Sequence, residues 1–271
     1  MMEFCQASII LYTELTSAEN CLQWKSMGKN KLQHFAELKT FPNVIEPAVY
    51  PHTSRGVGVN WSERFGNQNP ITLELACGKG EYALALARLF PKRNFIGVDI
   101  KGARLWRGAK TALEENLTNV AFLRIQIENL EHYFRLPPPS RRGQGVVGHN
   151  LNSQNIPPTA KLSPIITTVW IVFPDPFPRK RQANKRLTSP RFLAMYKKIL
   201  APGGAIHLKT DDLNLFNYSV ETAIAEGWKI KEIINNIYAL PKLNPLLAIK
   251  TFYENKHLRE GKQIHYLKAA R

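Results

Sequence analysis

Short apolar runs alternate with amphipathic segments from Ile71 to the end of the chain, and this alternation constrains the fold more than any other feature. The predicted strands are ITLELA (71–76), NFIGVD (94–99), VAFLRI (120–125), TTVWIVF (167–173), AIHLKT (205–210), WKIKEII (228–234) and QIHYLKAA (263–270). The helical patterns between them are residues 81–90, 103–116, 190–200 and 214–227. Strands that alternate with helices are typical of a parallel sheet covered on both faces. The chain therefore predicts a doubly wound, Rossmann-like α/β fold with a mostly parallel, seven-stranded sheet.

Two segments depart from this alternation. Residues 1–60 show only a short helix and an extended arm, at 30–47, and the MGKNK at Met27 looks like a second start. Residues 136–164 are rich in Pro, Gly, Ser and Asn, a composition that buries too little apolar surface to offset the entropy lost on ordering. We expect 1–60 to be a partly disordered N-terminal extension and arm, and 61–271 to be a single domain with a flexible insertion at 136–164.

The charge balance limits the class of partner. The chain has 37 Lys and Arg against 21 Asp and Glu, a net charge of +16, which attracts polyanions such as nucleic acid. It lacks an apolar run of about 18 residues and a secretion signal, so no membrane span is expected. The cysteines are few and scattered, which indicates a reducing cytoplasm, and their spacing to histidines does not resemble a metal site.

An acid and a glycine turn follow the first strand. Glu74 lies just before the turn ACGKGE, in which Gly78 and Gly80 permit a sharp bend and close approach of a ligand. Asp99 ends the second strand, where a carboxylate can accept two hydrogen bonds from a ribose diol. GKGEYA also fits the dinucleotide fingerprint G-x-G-x-x-A. An acid before the turn opposes a pyrophosphate and suits an ammonium group, so the pattern favours S-adenosylmethionine over a nicotinamide cofactor.

Polar residues also end the next three strands, at the edge where open α/β sheets bind ligands. The amide carbonyl of Gln126 can accept from an adenine amino group, although a solvated glutamine fits the local sequence equally well. Asp175 lies between Pro174 and Pro176, which restrict its backbone. Asp211 follows the fifth strand. Several acids at one rim of a strongly basic protein indicate a ligand site.

A strip of cations follows Asp175 directly. It consists of Arg179, Lys180, Arg181, Lys185, Arg186 and Arg191, without an acid among them. Phosphate contacts position a nucleic acid but do not read its sequence. We therefore expect these cations to hold phosphates of a nucleic acid beside the turn that carries Asp175.

Taken together, these motifs resemble those of the bacterial tRNA (guanine-N7-)-methyltransferases, which are class I S-adenosylmethionine-dependent enzymes. The resemblance covers about Trp61 to Arg271 without the insertion. It rests on ERFGNQNPITLELACGKGEY, FIGVDIK, VFPDPFPRKRQANKRL, PGGAIHLKTDD and TFYENKHLREGKQIHYLKA. It implies methyl transfer to N7 of guanine 46 in the variable loop of tRNA, in the cytoplasm, by a monomer or homodimer.

The resemblance also implies roles for individual residues. The S-adenosylmethionine pocket would be lined by Glu74, Asp99, Gln126 and Asp175. The target guanosine would be contacted by Arg179, Asp211, Thr251, Phe252, Tyr253 and Glu254, and the RNA by residues 181–186, including Arg181, Lys185 and Arg186. From the residues alone, Phe252 and Tyr253 fit stacking on guanine and packing in the core equally well.

The chain departs from the usual family pattern at three positions. Ala76 replaces the first glycine of E-x-G-x-G-x-G, Gln126 stands where Asp or Asn is usual, and Phe177 replaces the tryptophan after D-P. We expect the change at Ala76 to be tolerated.

The predicted mechanism is orientation, because N7 of guanine has a lone pair and no proton to remove. A nearby carboxylate would stabilise the positive charge that develops on the purine. Asp175 is the predicted catalytic residue because its prolines hold it in place, and Asp211 is the other candidate. Three alternatives stay open. The first is an amino-directed base methyltransferase, whose D-P-P-F/Y turn would need a second proline where this chain has Phe177. The others are a non-catalytic RNA-binding module, which would not need the acids, and a nicotinamide dehydrogenase, which would not need the cations.

Overall fold

The computed structural model describes residues 32–46, 59–134 and 166–271. The expected insertion at 136–164 and the second start at Met27 lie outside the described residues. Of the expected N-terminal extension, only 32–46 and 59–60 fall within them.

The strands of the described residues form a single sheet. They are β1 (Val44–Ile45), β2 (Ile71–Leu75), β3 (Asn94–Val98), β4 (Val120–Leu123), β5 (Ile166–Val172), β6 (Leu200–Thr210), β7 (Lys229–Ile234) and β8 (His265–Ala270). Their order across the sheet is β1-β4-β3-β2-β5-β6-β8-β7. The pairs that β8 makes with β6 and β7 are antiparallel, and the other pairs are parallel. The predicted doubly wound, mostly parallel fold is confirmed.

The predicted count of seven strands is too low by one. The additional strand is β1, which comes from the N-terminal arm and pairs in parallel with β4 at the edge of the sheet. An ion pair of 2.7 Å between Glu46 and Arg124 fastens the end of the arm next to this strand. A strand of two residues has no alternation to detect, so the pattern that predicted the other seven strands could not predict it.

Helices cover both faces of the sheet. They are α1 (32–38), α2 (Trp61–Phe65), α3 (Glu81–Leu89), α4 (Gly102–Glu114), α5 (Glu131–Phe134), α6 (Pro190–Ile199), α7 (Leu213–Ala225) and α8 (Phe252–Arg259). Short 3-10 helices occupy Ile127–Asn129, Lys180–Lys185 and Ile237–Ala239.

Successive residues of the central strands belong to two different apolar clusters, because side chains along a strand point alternately to opposite faces. Trp170 of β5 packs in the cluster that contains the buried residues of α3 and α4. Its neighbour Ile171 packs in the cluster that contains those of α6 and α7. A sheet buried on both faces leaves its carboxyl edge as the place where polar side chains reach solvent. No helix of the described segments is long and apolar enough to cross a membrane.

Candidate functional site

A cleft of about 820 Å³ opens at the carboxyl edge of the sheet, lined by the segments that follow β2, β3, β4, β5 and β6. The four predicted rim acids, Glu74, Asp99, Asp175 and Asp211, all line it. Other predicted site residues in its wall are Gly78, Gln126, Lys185, Thr251, Phe252 and Tyr253. The structure therefore brings most of the predicted site residues to one cavity, although they are spread over nearly 180 positions of the chain.

Glu74 is a buried acid at the base of this cleft. Glu74 is only 4% exposed. One of its carboxylate oxygens accepts a hydrogen bond of 2.8 Å from the backbone N–H of Ala83 in α3. Burial raises the pKa of Glu74 to about 8, against the lowering effect of that hydrogen bond, and the charges of Glu81 and Asp99 add to the increase. A buried carboxylate with a single donor is poorly stabilised in its ionised form. The position therefore suits the cationic group of a ligand.

The turn after Glu74 has a left-handed backbone, with φ of 58° at Gly78 and 66° at Gly80. A Cβ atom on Gly80 would lie 2.4 Å from Cε1 of Phe122, whereas a Cβ on Gly78 would meet open space. Gly80 is thus required by packing as well as by conformation. Ala76 also has a positive φ, of 53°. The turn accepts this non-glycine residue at a cost of about 1 kcal/mol that glycine would avoid.

The carboxylate of Asp99 is held in place by two backbone N–H groups. Its two carboxylate oxygens accept hydrogen bonds of 2.8 Å from the N–H groups of Gly78 and Lys101. Each oxygen keeps a second lone pair for a ligand. The side chain of Gln126, next along the edge, is exposed and makes no hydrogen bond with another described residue. Both alternatives for Gln126, an adenine contact and a solvated side chain, stay open.

Asp175 lies at the centre of a strained turn. Phe173 and Phe177, two residues to either side, have positive φ angles of 48° and 44°. A bulky side chain in the left-handed region is rare and costs of order 1–3 kcal/mol. Asp175 itself is exposed, and its carboxylate has no hydrogen bond or ion pair within the described residues. The turn therefore presents a free carboxylate to the cleft.

Asp211, the other candidate carboxylate, is already paired. Its Oδ2 lies 2.7 Å from Nζ of Lys262 and 3.3 Å from Nδ1 of His257. A carboxylate so close to an ammonium group offers less of its charge to a ligand. The two candidates are thus distinguished by their partners, which the sequence alone did not reveal.

The basic strip divides into exposed and buried members. Arg179, Arg181 and Lys185 are exposed on or next to the 3-10 helix Lys180–Lys185. Arg186 is only 8% exposed, and its guanidinium donates to the backbone carbonyls at the end of the Asp175 turn. We therefore revise the prediction that Arg186 contacts RNA, because its donors face the protein.

The first residues of α8 form another part of the wall. Thr251 caps the helix by accepting a hydrogen bond of 3.2 Å from the N–H of Glu254. Phe252 is 58% exposed and Tyr253 is 45% exposed, and both line the cleft. This exposure is inconsistent with the core alternative for the two rings and leaves them accessible to a stacking partner.

Glu254 lies beneath this wall and does not line the cleft. It is fully buried, and both of its oxygens lie 2.8 Å from Nζ of Lys209. Tyr238 donates a further hydrogen bond of 2.8 Å to it. We therefore revise the prediction that Glu254 contacts guanosine, because its hydrogen-bonding capacity is used inside the protein. Burial lowers the pKa of Lys209, and the charge of Glu254 opposes that effect.

Sequence reasoning missed two residues that shape this site. Lys209 lies in the segment AIHLKT, whose alternating pattern is that of an ordinary half-buried strand. Its partner Glu254 is 45 residues away, so the local sequence does not indicate that Lys209 is buried in an ion pair. Gly108 lies inside α4, where a Cβ atom would come within 2.3 Å of the carbonyl oxygen of Lys79 in the glycine turn. An isolated glycine inside a helix often marks such close packing, and that signal was available.

Within the described segments, no group of three or more His, Cys, Asp or Glu side chains is arranged to hold a metal ion.

The fold and the site together define a class of protein. A mostly parallel sheet, a buried acid before a glycine turn and a second acid ending the next strand are the arrangement of a class I methyltransferase. Two solved structures share the fold. They are the 16S rRNA methyltransferase KamB, with a TM-score of 0.51 at 15% identity over 77% of this chain and 91% of that one, and an antibiotic-related methyltransferase, with a TM-score of 0.51 at 14% identity over 78% and 92%.

Sequence similarity identifies the particular family. A protein family described as "Putative methyltransferase" matches residues 68–137 and 152–267. The tRNA (guanine-N(7)-)-methyltransferase of Christiangramia forsetii is 42% identical over 248 residues, which are 89% of this chain and 97% of that protein. That of Cytophaga hutchinsonii is 36% identical over 244 residues, with the same two coverages of 89% and 97%. The chain belongs to the tRNA (guanine-N(7)-)-methyltransferase family and is a methyltransferase.

Proposed function

We propose that this protein transfers a methyl group from S-adenosylmethionine to N7 of a guanine in tRNA, and that the guanine is number 46 in the variable loop. Relatives over most of the chain are named for N7 methylation of tRNA guanine, and position 46 follows from the resemblance of the motifs. The observation that carries the proposal is a single cleft lined by two buried acids, Glu74 and Asp99, and by an exposed one, Asp175, beside the cation-bearing 3-10 helix Lys180–Lys185.

The buried half of the cleft suits S-adenosylmethionine, which supplies the methyl group when it is bound. Glu74 would accept the ammonium group, and its raised pKa supports this assignment because a cation compensates the charge that burial disfavours. Asp99 would accept hydrogen bonds from the ribose hydroxyls through its remaining lone pairs. Gly78, which lines the cleft, would let the backbone approach the cofactor closely, whereas Gly80 would keep the turn in its left-handed conformation without lining the cleft. Gln126 would face the adenine.

The open half suits a guanine that is turned out of its RNA stack. The exposed rings of Phe252 and Tyr253 offer surfaces on which an unstacked base can lie. Asp175 would accept hydrogen bonds from the N1 and N2 edge of guanine and stabilise the positive charge that methylation creates. We assign the catalytic role to Asp175 and not to Asp211, because Asp211 is already paired with Lys262.

The exposed cations beside the turn suit the phosphates on either side of the target base. Arg179, Arg181 and Lys185 are assigned to this contact, which would orient the tRNA without reading its sequence. The protein would act in the cytoplasm as a monomer or homodimer.

The test uses the purified protein, S-adenosylmethionine labelled in its methyl group and two tRNA transcripts, one with guanine and one with adenine at position 46. Labelled 7-methylguanosine should form only with the first transcript. Asp175→Asn should lower kcat about tenfold or more, which corresponds to about 1.4 kcal/mol of activation free energy. Asp211→Asn, the matched control, should lower kcat less, because its charge is already paired.

Each other outcome identifies an alternative. Label in an amino-methylated nucleoside would favour an amino-directed enzyme, and tRNA binding without any incorporation would favour a binding module. Unchanged turnover in Asp175→Asn would show that Asp175 is not catalytic.

A further inference from the structure

The turn that carries Asp175 needs an external support. Phe173 and Phe177 both have a left-handed backbone, so the chain between them is held in a conformation that its own residues disfavour. Prolines restrict φ at positions 174 and 176, but they do not favour positive φ in the phenylalanines that flank the turn. Such strain persists only where surrounding contacts enforce it.

Arg186 makes contacts of this kind. Its Nε donates to the carbonyl oxygen of Pro176 at 3.1 Å, and its Nη2 donates to that of Phe177 at 3.1 Å. The guanidinium carbon also lies 4.3 Å from the ring centroid of Tyr218 in α7. The planar guanidinium is therefore held between a ring on one side and two carbonyl groups along its edge.

Arg186 also ends the 3-10 helix Lys180–Lys185, which bears the exposed cations. Its own N–H closes the last turn of that helix through a hydrogen bond of 3.1 Å to Ala183. Two residues later, the hydroxyl groups of Thr188 and Ser219 lie 2.7 Å apart and tie the segment to α7. One residue thus connects the cation-bearing helix, the Asp175 turn and α7.

We propose that Arg186 is a positioning residue that holds the strained turn so that Asp175 faces the cleft, and that it is not a phosphate ligand. This inference rests on the proposed function and deepens it, because it assigns one member of the basic strip to catalysis through Asp175. A lysine cannot replace it, since an ammonium group lacks the planar fork that reaches both carbonyls and stacks on Tyr218.

The test is Arg186→Lys, which keeps the positive charge and removes the fork. A misplacement of about 1 Å can cost about a hundredfold in rate, so kcat should fall between about tenfold and a hundredfold. The KM for tRNA and its dependence on salt should stay as in the wild type, as should the Kd for S-adenosylmethionine measured by calorimetry. That unchanged Kd also shows that the variant is folded.

Two further variants serve as references. Arg88→Lys removes an exposed fork of the same kind, in which two contacts of 2.7 Å join Arg88 to Glu115, and it should change none of these quantities. Arg181→Ala combined with Lys185→Ala should raise the KM for tRNA and reduce the slope of log affinity against log salt by about 1.5, the amount expected for two lost phosphate contacts.

The proposal is overturned if Arg186→Lys behaves like the Arg181 and Lys185 variant, with a smaller salt slope and an unchanged kcat. Should Arg186→Lys fail to bind S-adenosylmethionine, Tyr218→Leu replaces it, because that change removes only the stacking surface. Tyr218→Leu should then lower kcat about threefold or more at an unchanged KM for tRNA, and an unchanged kcat would contradict the proposal. Failure of the proposed function would appear separately, as absence of 7-methylguanosine with the wild-type protein.

Discussion

The two sides of the cleft hold their acids by different means. On the buried side, Glu74 and Asp99 accept hydrogen bonds from backbone N–H groups of the turn and helix that follow β2 and β3. On the open side, Asp175 lies on a strained turn whose carbonyls are held by the side chain of Arg186. Backbone donors come with a local strand-turn-helix unit, whereas side-chain donors depend on tertiary packing. The buried side should therefore be sensitive to changes in the turn itself, and the open side to changes in residues distant from it.

The largest expected effect concerns the support of the open side. Lys209→Met removes the counter-charge of Glu254, which is fully buried under the first turn of α8. Breaking a buried ion pair by removing one partner costs about 3–5 kcal/mol, because the remaining charge is left without compensation. The free energy of unfolding in urea should fall by that amount.

Two controls define what this loss means. Lys198→Met breaks the more exposed ion pair of 2.7 Å with Glu131 and should cost no more than about 1 kcal/mol. The double variant Lys209→Met and Glu254→Leu removes both buried charges and should recover most of the stability. A loss below about 1 kcal/mol in Lys209→Met would mean that the open side does not depend on this pair.

The next effect tests the buried side within its own turn. Gly80→Ala places a Cβ atom 2.4 Å from the buried ring of Phe122 and keeps the unfavourable positive φ. Overpacking and the left-handed backbone together should cost about 2–4 kcal/mol in the free energy of unfolding. Gly78→Ala is the matched control, since its Cβ meets open space and only the backbone cost of about 1 kcal/mol applies. Equal losses in the two variants would show that contact with Phe122 does not decide the position.

The same contrast explains what the sequence could predict. Glu74, Gly78 and Asp99 could be expected at one edge of the sheet, because a strand, a glycine turn and a strand end follow one another along the chain, and all three line the cleft. The environments of Arg186 and Glu254 were not predictable in this way. In the sequence Arg186 is one cation in a run, and only the fold turns its guanidinium inward.

A similar reason applies to Glu254 and to β1. The motif TFYE at the start of α8 groups an inward acid with two outward rings, and the buried lysine that pairs with the acid comes from β6. Strand β1 exists because the arm pairs with β4, and its two residues carry no periodicity of their own. Local patterns thus predicted the sheet and its polar edge, while tertiary contacts decided which edge side chains remain free.

The last effect is spread over a range of pH and tests whether burial controls the ionisation of Glu74. The pKa of Glu74 is raised from 4.5 to about 8 in the folded protein, mainly by burial, so between these pH values the folded state binds a proton that the unfolded state has lost. Stability due to this group is therefore present at low pH and falls as the pH rises, by at most about 1.4 kcal/mol per pH unit, until it levels above about pH 8. Glu74→Gln does not titrate and should become progressively more stable than the wild type from pH 5 to pH 8 in urea unfolding, while it loses affinity for S-adenosylmethionine.

Saturating S-adenosylmethionine should reduce the pH dependence of the wild type, because an ammonium group next to Glu74 favours the ionised carboxylate. Glu114→Gln, on the exposed face of α4, should show the wild-type pH dependence throughout. A constant difference in stability between the wild type and Glu74→Gln across this range would mean that the carboxylate is already ionised without a ligand. In that case the contrast between the two sides would be confined to how their backbones are fixed.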